Sequence, residues 1–485
     1  MATGNELIRM SATEAVARLR RREITPLELV DAAAARIEEV DGRVNALPIR
    51  FIDQAREAAR RFTDRKPPQD PPPGWLAGLP IAAKDYNDVA GQRTTFGSPI
   101  FADAVASASD HTVTTLEANG AIFMAKSNVP EFAGSNTFNP VFGATRNPWN
   151  LAMTAGGSSG GAAAALASGT QWLAMGSDLG GSLRIPASYC GIVGMRPSVG
   201  RVPRGGGLPA FDPLWVEGPM ARNVADLALM LDALSVPHPH DPLVMPAPEV
   251  PFSVAVQGAT PPRRVGFTPD LGLSSVDPEV ADICRSAALR LGAAGTVVED
   301  ASPDFANSIE TFQTLRALLF AALRGELLEI ERERINPSIV WNIEKGLQLG
   351  IDEVIRAERE RTALYHRVAG FFDRYDLLLC PTVAVPPFPV EQAYPTRIGD
   401  QELSSYIDWM FLTFVVTLTG CPALSLPCGF TRSGMPVGLQ IIGRSRADAT
   451  VLAAAALLEG EFGIAGRLPI DPIGAAGDAG ASGAV

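Results

Sequence analysis

Lysine, histidine and cysteine are all scarce in this chain of 485 residues. Only four of its 41 basic residues are lysines, and the remainder are arginines. Arginine stays protonated in proteins, whereas a buried lysine can lose its proton and act as a base. Each lysine is therefore informative; they are Lys66, Lys84, Lys126 and Lys345.

The five cysteines are scattered, and no two of them form a C-x-x-C pair. Their odd number and wide spacing exclude a disulfide framework and a zinc site built from thiolates. Free thiols are typical of a reducing compartment, and the N-terminal sequence has no signal-peptide pattern. We therefore expect a cytoplasmic protein.

Excess positive charge is also missing, since the formal net charge is −12. A nucleic-acid-binding protein needs basic clusters that displace counterions, so this class is excluded. The most apolar window, residues 411–430, is interrupted by glycine and proline. It predicts buried core strands broken by turns and not a membrane span, which needs about 20 predominantly apolar residues in one helix.

Strand-like and helix-like segments alternate along the chain, which indicates an α/β architecture. No shift in composition divides the interior, so we predict one domain over residues 1–474, with a flexible tail at 475–485. Within the domain we expect a helical segment at 1–65, a catalytic core at 78–200 and a proline-dense surface connection at 236–262. Two helices are expected to start within the helical segment, because capping-box patterns occur at Ser11–Glu14 and Thr25–Glu28.

Two clusters of glycine and serine, at 156–161 and 178–182, are the strongest chemical feature. Glycines beside a serine allow backbone N–H groups to converge, which suits a phosphate or the oxyanion of an acyl transfer. Neither cluster matches a phosphate-binding motif, so acyl transfer is favoured over phosphate binding. Two flexible turns are the simpler alternative for either cluster alone.

Gly156-x-Ser158-x-Gly160 also fits the nucleophile elbow of α/β-hydrolases, which needs a preceding buried strand and a later histidine. Residues 150–154 make a poor strand, and His238 and His240 lie in the proline-dense connection. His366 lies in a charged helical stretch. A serine nucleophile would then need a lysine as its base. Lys84 and Lys126 both end an apolar run, and position alone does not choose between them.

Several further motifs follow one another in order and together resemble the amidase signature family. Lys84 precedes Ser158 by 74 residues, and Ser158 precedes Ser182 by 24 residues, a spacing that agrees with the family. The resemblance covers almost the whole chain. It is carried by GLPIAAKD at 78–85, KSNVPEF at 126–132, GATRNPWN at 143–150, GGSSGG at 156–161, GGSLRIP at 180–186, GIVGMRP at 191–197, GPMAR at 218–222, GCPA at 420–423 and MPVGLQIIG at 435–443.

The resemblance implies a mixed, twisted β-sheet covered by helices on both faces, and a Ser–cisSer–Lys triad. Ser182 is expected to be the nucleophile, and Ser158, preceded by a cis peptide in the family, to relay its proton to a neutral Lys84. The oxyanion hole is expected to be the backbone N–H groups of Leu179, Gly180, Gly181 and Ser182. Supporting roles fall to Gly157, Ser159, Asp178 and Arg184.

The implied function is hydrolysis of a linear amide through an acyl-enzyme, with carbamates, anilides and esters as further substrate classes. Comparison with the family motifs implies a structural role for Lys126. We expect no metal and no cofactor. The expected partners are a small amide substrate and water, without nucleic acid or membrane, and with a homodimer as an option for the assembly. Tyr86 and Ala155 depart from the common family residues near the acyl pocket, and residues 205–215 are expected to border its entrance.

Two alternatives remain open from the sequence. The first is the glutaminase subunit of a tRNA-dependent amidotransferase, although the charged helices at 312–372 do not resemble the glutamine-binding stretch of those subunits. The second is a Ser-His-Asp esterase of the α/β-hydrolase fold.

Overall fold

A computed structural model describes residues 3–66, 68–205 and 207–474. The α-helices of this part of the chain are α1 Gly4–Arg9, α2 Ala12–Arg20, α3 Pro26–Val44, α4 Ile52–Thr63, α5 His111–Ala118, α6 Gly160–Ser168, α7 Arg184–Cys190, α8 Val224–Leu234, α9 Phe252–Ala255, α10 Pro278–Leu289, α11 Ser308–Glu331, α12 Pro337–Leu347, α13 Ile351–Phe371, α14 Phe411–Thr417 and α15 Asp448–Phe462.

The strands are β1 Ile49–Arg50, β2 Pro80–Lys84, β3 Ile122–Ser127, β4 Phe138–Asn139, β5 Gly143–Ala144, β6 Arg146–Asn147, β7 Asn150–Thr154, β8 Leu173–Asp178, β9 Val193–Arg196, β10 Val216–Ala221, β11 Arg264–Phe267, β12 Val297–Asp300, β13 Leu377–Pro381, β14 Arg397–Ile398, β15 Gln401–Glu402, β16 Ala423–Phe430 and β17 Pro436–Gly443.

Eleven strands form one mixed sheet in the order β1-β3-β2-β8-β10-β9-β16-β17-β13-β11-β12. Strand β2 runs parallel to both β3 and β8, whereas β10 runs antiparallel to β8 and β9. Every residue of β2, β3 and β8 is buried, as expected for parallel strands that are covered on both faces. The predicted α/β class with a mixed sheet is confirmed.

The carboxyl ends of parallel strands meet at one edge of a sheet, and ligands bind at that edge in open α/β sheets. Lys84 is the last residue of β2, and Asp178 is the last residue of β8. The chain then turns into α7 through the second glycine-serine cluster. This arrangement brings both clusters to the same edge as Lys84.

The predicted helices at the N-terminus are present, and one of the two capping boxes is complete. The Thr25 hydroxyl accepts the N–H of Glu28, and the Glu28 carboxylate accepts the N–H of Thr25. At the other site the Ser11 hydroxyl accepts the N–H of Glu14, but no return bond from Glu14 is formed. Glu14 instead forms an ion pair with Arg18 on the next turn.

Two local predictions are wrong. Residues 411–417 form the buried helix α14 and not a strand, although the rest of the same apolar window contains strand β16. Residues 150–154 do form a strand, β7, but it pairs with β6 in a separate two-stranded sheet. Because β7 is not part of the central sheet, it does not supply the buried strand that a nucleophile elbow requires.

Helices α11, α12 and α13 make a second layer whose apolar side chains pack with α14 in a separate core cluster. The ring of Phe312 on α11 stacks on Phe414 of α14, with centroids 4.5 Å apart. No helix in the described ranges combines the length and the apolar character that crossing a bilayer requires. The predicted tail at 475–485 lies outside the described residues.

Candidate active site

The Lys84 amine is fully buried at the end of β2 and is surrounded by serine hydroxyls. Its Nζ lies 2.7 Å from Ser158 Oγ, 2.9 Å from Ser159 Oγ and 2.9 Å from Ser177 Oγ. In the described part of the chain no carboxylate lies within ion-pair distance of this amine. Three hydroxyls therefore replace water around Lys84 without supplying a countercharge.

Burial lowers the pKa of Lys84 from its ordinary value of 10.5 to about 7, although the charges of Glu217 and Asp178 act to raise it. Glu217 stands opposite Ser177 in the register of β10 and β8. Burial raises the pKa of the Glu217 carboxyl, and the nearby Lys84 amine acts to lower it. Desolvation therefore favours the neutral form of both groups. The charge of each group, in contrast, stabilises the opposite charge on the other.

Ser158 follows a cis peptide bond between Gly157 and Ser158, as the family resemblance implied. A Cβ atom on Gly157 would lie 2.1 Å from the carbonyl oxygen of Ser135, so only glycine fits at this close approach. The next residue, Ser159, precedes α6, and its hydroxyl is the second contact of Lys84. The turn thus presents two consecutive serine hydroxyls to one amine.

Ser182 lies in the loop between β8 and α7 and is half-buried, whereas Ser158 is only 1% exposed. The backbone N–H of Ser159 donates to the Ser182 carbonyl oxygen over 3.2 Å, which ties the two glycine-serine clusters together. Ser182 is thus the serine of the site with the greater access from outside. Such access is what a nucleophile needs.

Asp178 anchors the Ser182 loop from inside the protein. Its carboxylate accepts the N–H groups of Gly181 and Leu183 over 3.0 and 3.1 Å, and it pairs with Arg184 at 2.7 Å. Arg196 lies 3.4 Å from the same carboxylate. Burial alone would raise the pKa of Asp178, but the two guanidinium groups lower it to about 2.

The Arg184 guanidinium also connects the loop to the second layer. It donates to the carbonyl oxygen of Thr413 on α14 and to Gln440 on β17. The Thr413 hydroxyl in turn donates to the carbonyl oxygen of Gly180 over 2.7 Å. The loop is therefore fixed by charged groups on one side and by α14 on the other.

The four N–H groups expected in the oxyanion hole differ in their bonding. The Gly181 N–H is bonded to Asp178, whereas no acceptor within the described residues is bonded to the N–H groups of Leu179, Gly180 and Ser182. Gly181 adopts a φ of +119°, which lets the chain turn between these donors. The loop therefore leaves three backbone donors for an incoming oxygen atom.

Lys126, the rival lysine, has a different environment. Its amine is buried, pairs with the Asp85 carboxylate at 2.9 Å and donates to the Thr94 hydroxyl and the Arg93 carbonyl oxygen. Burial lowers the pKa of Lys126, while Asp85 acts to raise it. A lysine that already holds a partner carboxylate and two acceptors is suited to a structural role.

A cavity of about 190 Å³ is lined by Tyr86 and Glu217, which are both neighbours of Lys84, while Lys84, Ser158 and Ser182 are not part of its wall. The ring of Tyr86 forms part of its wall and is centred 4.7 Å from Lys84 Nζ. The Arg324 guanidinium faces the rings of Phe96 and Phe132 at 5.4 and 4.8 Å from their centroids. The other lining residues are Asn87, Asp88, Asp110, Gly205, Gly207, Leu208, Trp215, Glu217, Phe320 and Leu323.

None of the histidines supplies a base to these serines. In the described chain no hydrogen bond joins a histidine ring to Ser158 or Ser182, and the amine of Lys84 occupies that position next to Ser158. Together with the placement of β7 outside the central sheet, this rules out the interpretation as a Ser-His-Asp esterase of the α/β-hydrolase fold.

Three participants were missed from the sequence. Ser177 and Glu217 approach Lys84 from neighbouring strands, and Arg196 reaches Asp178 from β9. Ser177 and Glu217 belong to none of the family motifs, and Arg196 lies in one of them, GIVGMRP at 191–197, which does not reveal its contact. Only the pairing of β8, β9 and β10 brings the three residues to the site. The one available signal was that each is a polar residue in an otherwise apolar strand.

Comparison with known proteins agrees with this geometry. The family model described as Amidase matches residues 28–452. The acylamidase of Rhodococcus erythropolis is 35% identical over 96% of this chain and 98% of its own length. One subunit of the glutamyl-tRNA(Gln) amidotransferase of Moorella thermoacetica is 36% identical over 94% of this chain and 97% of its own length.

Solved structures give the same result. A bacterial aryl acylamidase of the amidase signature family superposes with a TM-score of 0.87 at 30% identity, covering 95% of this chain and 99% of its own. A 6-aminohexanoate cyclic dimer hydrolase has a TM-score of 0.86 at 28% identity, with 95% and 99% coverage. The protein is therefore an enzyme that hydrolyses amide C–N bonds and belongs to the amidase signature family.

Proposed function

We propose that the enzyme hydrolyses linear amides through an acyl-enzyme on Ser182, with Ser158 as proton relay and Lys84 as base. One observation carries this proposal: a fully buried amine with a pKa lowered to about 7 lies 2.7 Å from the Ser158 hydroxyl. A neutral lysine has two N–H donors and one lone pair. In the structure the Lys84 amine donates to the hydroxyls of Ser158, Ser159 and Ser177. When Lys84 is neutral one of these contacts reverses, and we assign that role to Ser158, whose hydroxyl then donates to the lone pair over 2.7 Å.

The first half of the reaction then proceeds by proton transfer through two hydroxyls. Ser182 Oγ attacks the amide carbon, its proton passes to Ser158 Oγ, and the Ser158 proton passes to Lys84 Nζ. The tetrahedral intermediate collapses when the C–N bond breaks. The leaving nitrogen takes a proton from Ser158, which regains one from the Lys84 ammonium, so Lys84 is neutral again. Water then attacks the ester by the same relay and releases the acid.

The oxyanion is stabilised by backbone N–H groups of the loop after β8. Of the four predicted donors, Leu179, Gly180 and Ser182 are suited to this role, because the N–H of Gly181 is bonded to Asp178. Removing one donor of this kind typically costs about 2.7–4 kcal/mol of activation free energy. Gly181 then acts by shaping the loop.

We further propose that the substrate carries an apolar, preferably aromatic, group. The cavity of about 190 Å³ has Tyr86, Phe96, Phe132, Trp215 and Phe320 in its wall. Aromatic walls favour flat apolar groups through burial and ring packing. The similarity to an acylamidase and to an aryl acylamidase supports amides of this type, including anilides.

A hydrolysis panel tests this assignment. Purified enzyme is assayed with aryl anilides, short aliphatic amides, an aryl carbamate, an aryl ester and glutamine. We expect the highest kcat/KM for the aryl anilides among the amides, and little ammonia from glutamine. Ammonia release from glutamine alone would instead favour the glutaminase alternative, in line with the similarity to an amidotransferase subunit. Equal rates for short and aryl amides would contradict the aromatic preference.

Compartment and assembly remain predictions. All five cysteines are buried free thiols, and Cys284 Sγ lies 3.9 Å from Cys428 Sγ, at the distance of a thiol hydrogen bond and not of a disulfide. This supports a reducing cytoplasm as the place of action. A homodimer that needs no other subunit is tested by light scattering after size-exclusion chromatography. Activity only in the presence of a second subunit would contradict it.

A further inference from the structure

Three of the four histidines of the chain come together outside the catalytic centre. His111 is the first residue of α5, while His238 and His240 lie in the irregular segment that follows α8. One ring nitrogen from each lies within 4.8 Å of the others. The fourth histidine, His366, lies in α13 and takes no part in this cluster.

The three rings form a compact group that faces solvent on one side. The rings of His111 and His238 have centroids 3.8 Å apart, and the ring of His240 lies 5.7 and 5.2 Å from them. His111 and His238 are half-buried, whereas His240 is exposed. A ligand can therefore approach from the His240 side.

A backbone carbonyl orients the first histidine. His111 Nδ1 lies 3.2 Å from the carbonyl oxygen of Arg204. A carbonyl only accepts, so Nδ1 carries the proton and Nε2 keeps its lone pair. Metal-binding histidines are commonly held in this way by a carbonyl on the other ring nitrogen. His238 Nδ1 also presents a lone pair, in a long 3.3 Å contact with the N–H of His240 that a metal bond would replace.

The nearby carboxylates already have partners within the protein. Asp241 accepts the backbone N–H groups of Arg204 and Leu243, both over 2.9 Å. Asp110 accepts the N–H of Asp88 over 3.1 Å. The groups left to bind a ligand are therefore the imidazoles, which are the preferred ligands of zinc and similar divalent transition metals.

We propose that His111, His238 and His240 bind one Zn²⁺ ion in a site separate from the amide-cleaving centre. Zinc bonds to imidazole of about 2.0–2.1 Å in tetrahedral geometry place the ligand nitrogens about 3.3 Å apart. The three nitrogens must therefore close in from their present spacing, and the exposed His240 is free to do so. The ion would tie the start of α5 to the segment after α8, close to Gly205 in the wall of the cavity.

Zinc titration of the full-length, metal-free enzyme by calorimetry tests this site. We expect one Zn²⁺ per chain in the wild type, together with a higher Tm. His240→Asn and His111→Asn should each weaken binding at least about tenfold, because even the loss of an outer-shell partner costs 10–100-fold. The matched control is His366→Asn, which should bind zinc like the wild type.

The His240→Asn variant gives the decisive result, because its side chain is exposed and the substitution should not disturb folding. Circular dichroism can verify that the variant folds. That check also excludes zinc capture by cysteine thiols, which are buried in the folded protein. The absence of stoichiometric binding in the wild type would overturn the proposal. So would unchanged affinity in folded His240→Asn, or an equal loss in His366→Asn.

Discussion

Lys84→Met is the substitution that tests the proposed chemistry most directly. Methionine keeps the length of the side chain and removes the amine that lies 2.7 Å from Ser158 Oγ. A general base contributes about 10²–10⁴-fold to the rate, so we expect kcat/KM to fall by that factor. This corresponds to about 2.7–5.4 kcal/mol of activation free energy.

The pH dependence of the wild type gives a second measure of the same amine. At the ordinary lysine value of 10.5, only about one amine in 3,000 would be neutral at pH 7. Burial lowers the pKa of Lys84 to about 7, so a much larger fraction of the molecules holds the base form at that pH. Because the neutral form is the active one, kcat/KM should fall about tenfold per pH unit below the pKa and level off above it.

The assay is the initial rate of hydrolysis of a chromogenic aryl amide, followed from about pH 5 to about pH 10. Lys126→Met is the matched control, because the same substitution removes another buried amine. It leaves the buried Asp85 carboxylate unpaired, which should cost about 3–5 kcal/mol of unfolding free energy. We therefore expect Lys126→Met to be less stable than the wild type, while kcat of its folded fraction is reduced less than in Lys84→Met.

Three results would refute the reasoning. One is wild-type turnover by Lys84→Met at any pH. Another is an activity that rises only near the ordinary lysine pKa of 10.5, which would mean that burial does not lower the pKa of the base. The third is a reversed pattern, with Lys126→Met inactive but folded and Lys84→Met active.

Three further substitutions probe the neighbouring groups. Ser182→Ala should abolish labelling by a fluorophosphonate probe, checked by mass spectrometry of the intact protein; a remaining adduct would place the nucleophile elsewhere. Glu217→Gln should move the acidic limb of the pH–rate profile to lower pH, because the Glu217 charge raises the pKa of Lys84; an upward move would contradict this. Arg184→Met should lower the unfolding free energy by about 3 kcal/mol in urea, since Asp178 then loses a buried partner. An unchanged midpoint would show that the pair contributes little.

Local patterns in the sequence were sufficient to predict the elements that have their own start and stop signals. Thr25 and Glu28 form the predicted capping box, and the apolar run before Lys84 is the strand β2. Residues 411–417 of the apolar window were predicted wrongly, because an apolar segment without a clear period is compatible with a buried helix or a buried strand. There the packing against α11 decides the structure, and local propensity does not.

The partners of the site depend on pairings between distant segments. Ser177 and Glu217 come together only through the register of β8 with β10, and Arg196 arrives from β9. The histidine cluster has the same origin, since His111 and His238 meet where α5 packs against the segment after α8. A sequence shows which residues can do chemistry, but these contacts depend on how the strands and helices are packed.

Burial disfavours the charge of both Lys84 and Asp178, yet only Asp178 is fully charged at neutral pH. Both are fully buried, and burial disfavours the charged form of each. Asp178 remains ionised because Arg184 and Arg196 supply positive charge, whereas the hydrogen bonds of Lys84 within the described residues are all to hydroxyls. The Asp178 charge acts to raise the pKa of Lys84, and we infer that the two arginines weaken this effect because they offset that charge. On this argument the arginines would support the proposed base as well as the loop, although neither touches Lys84.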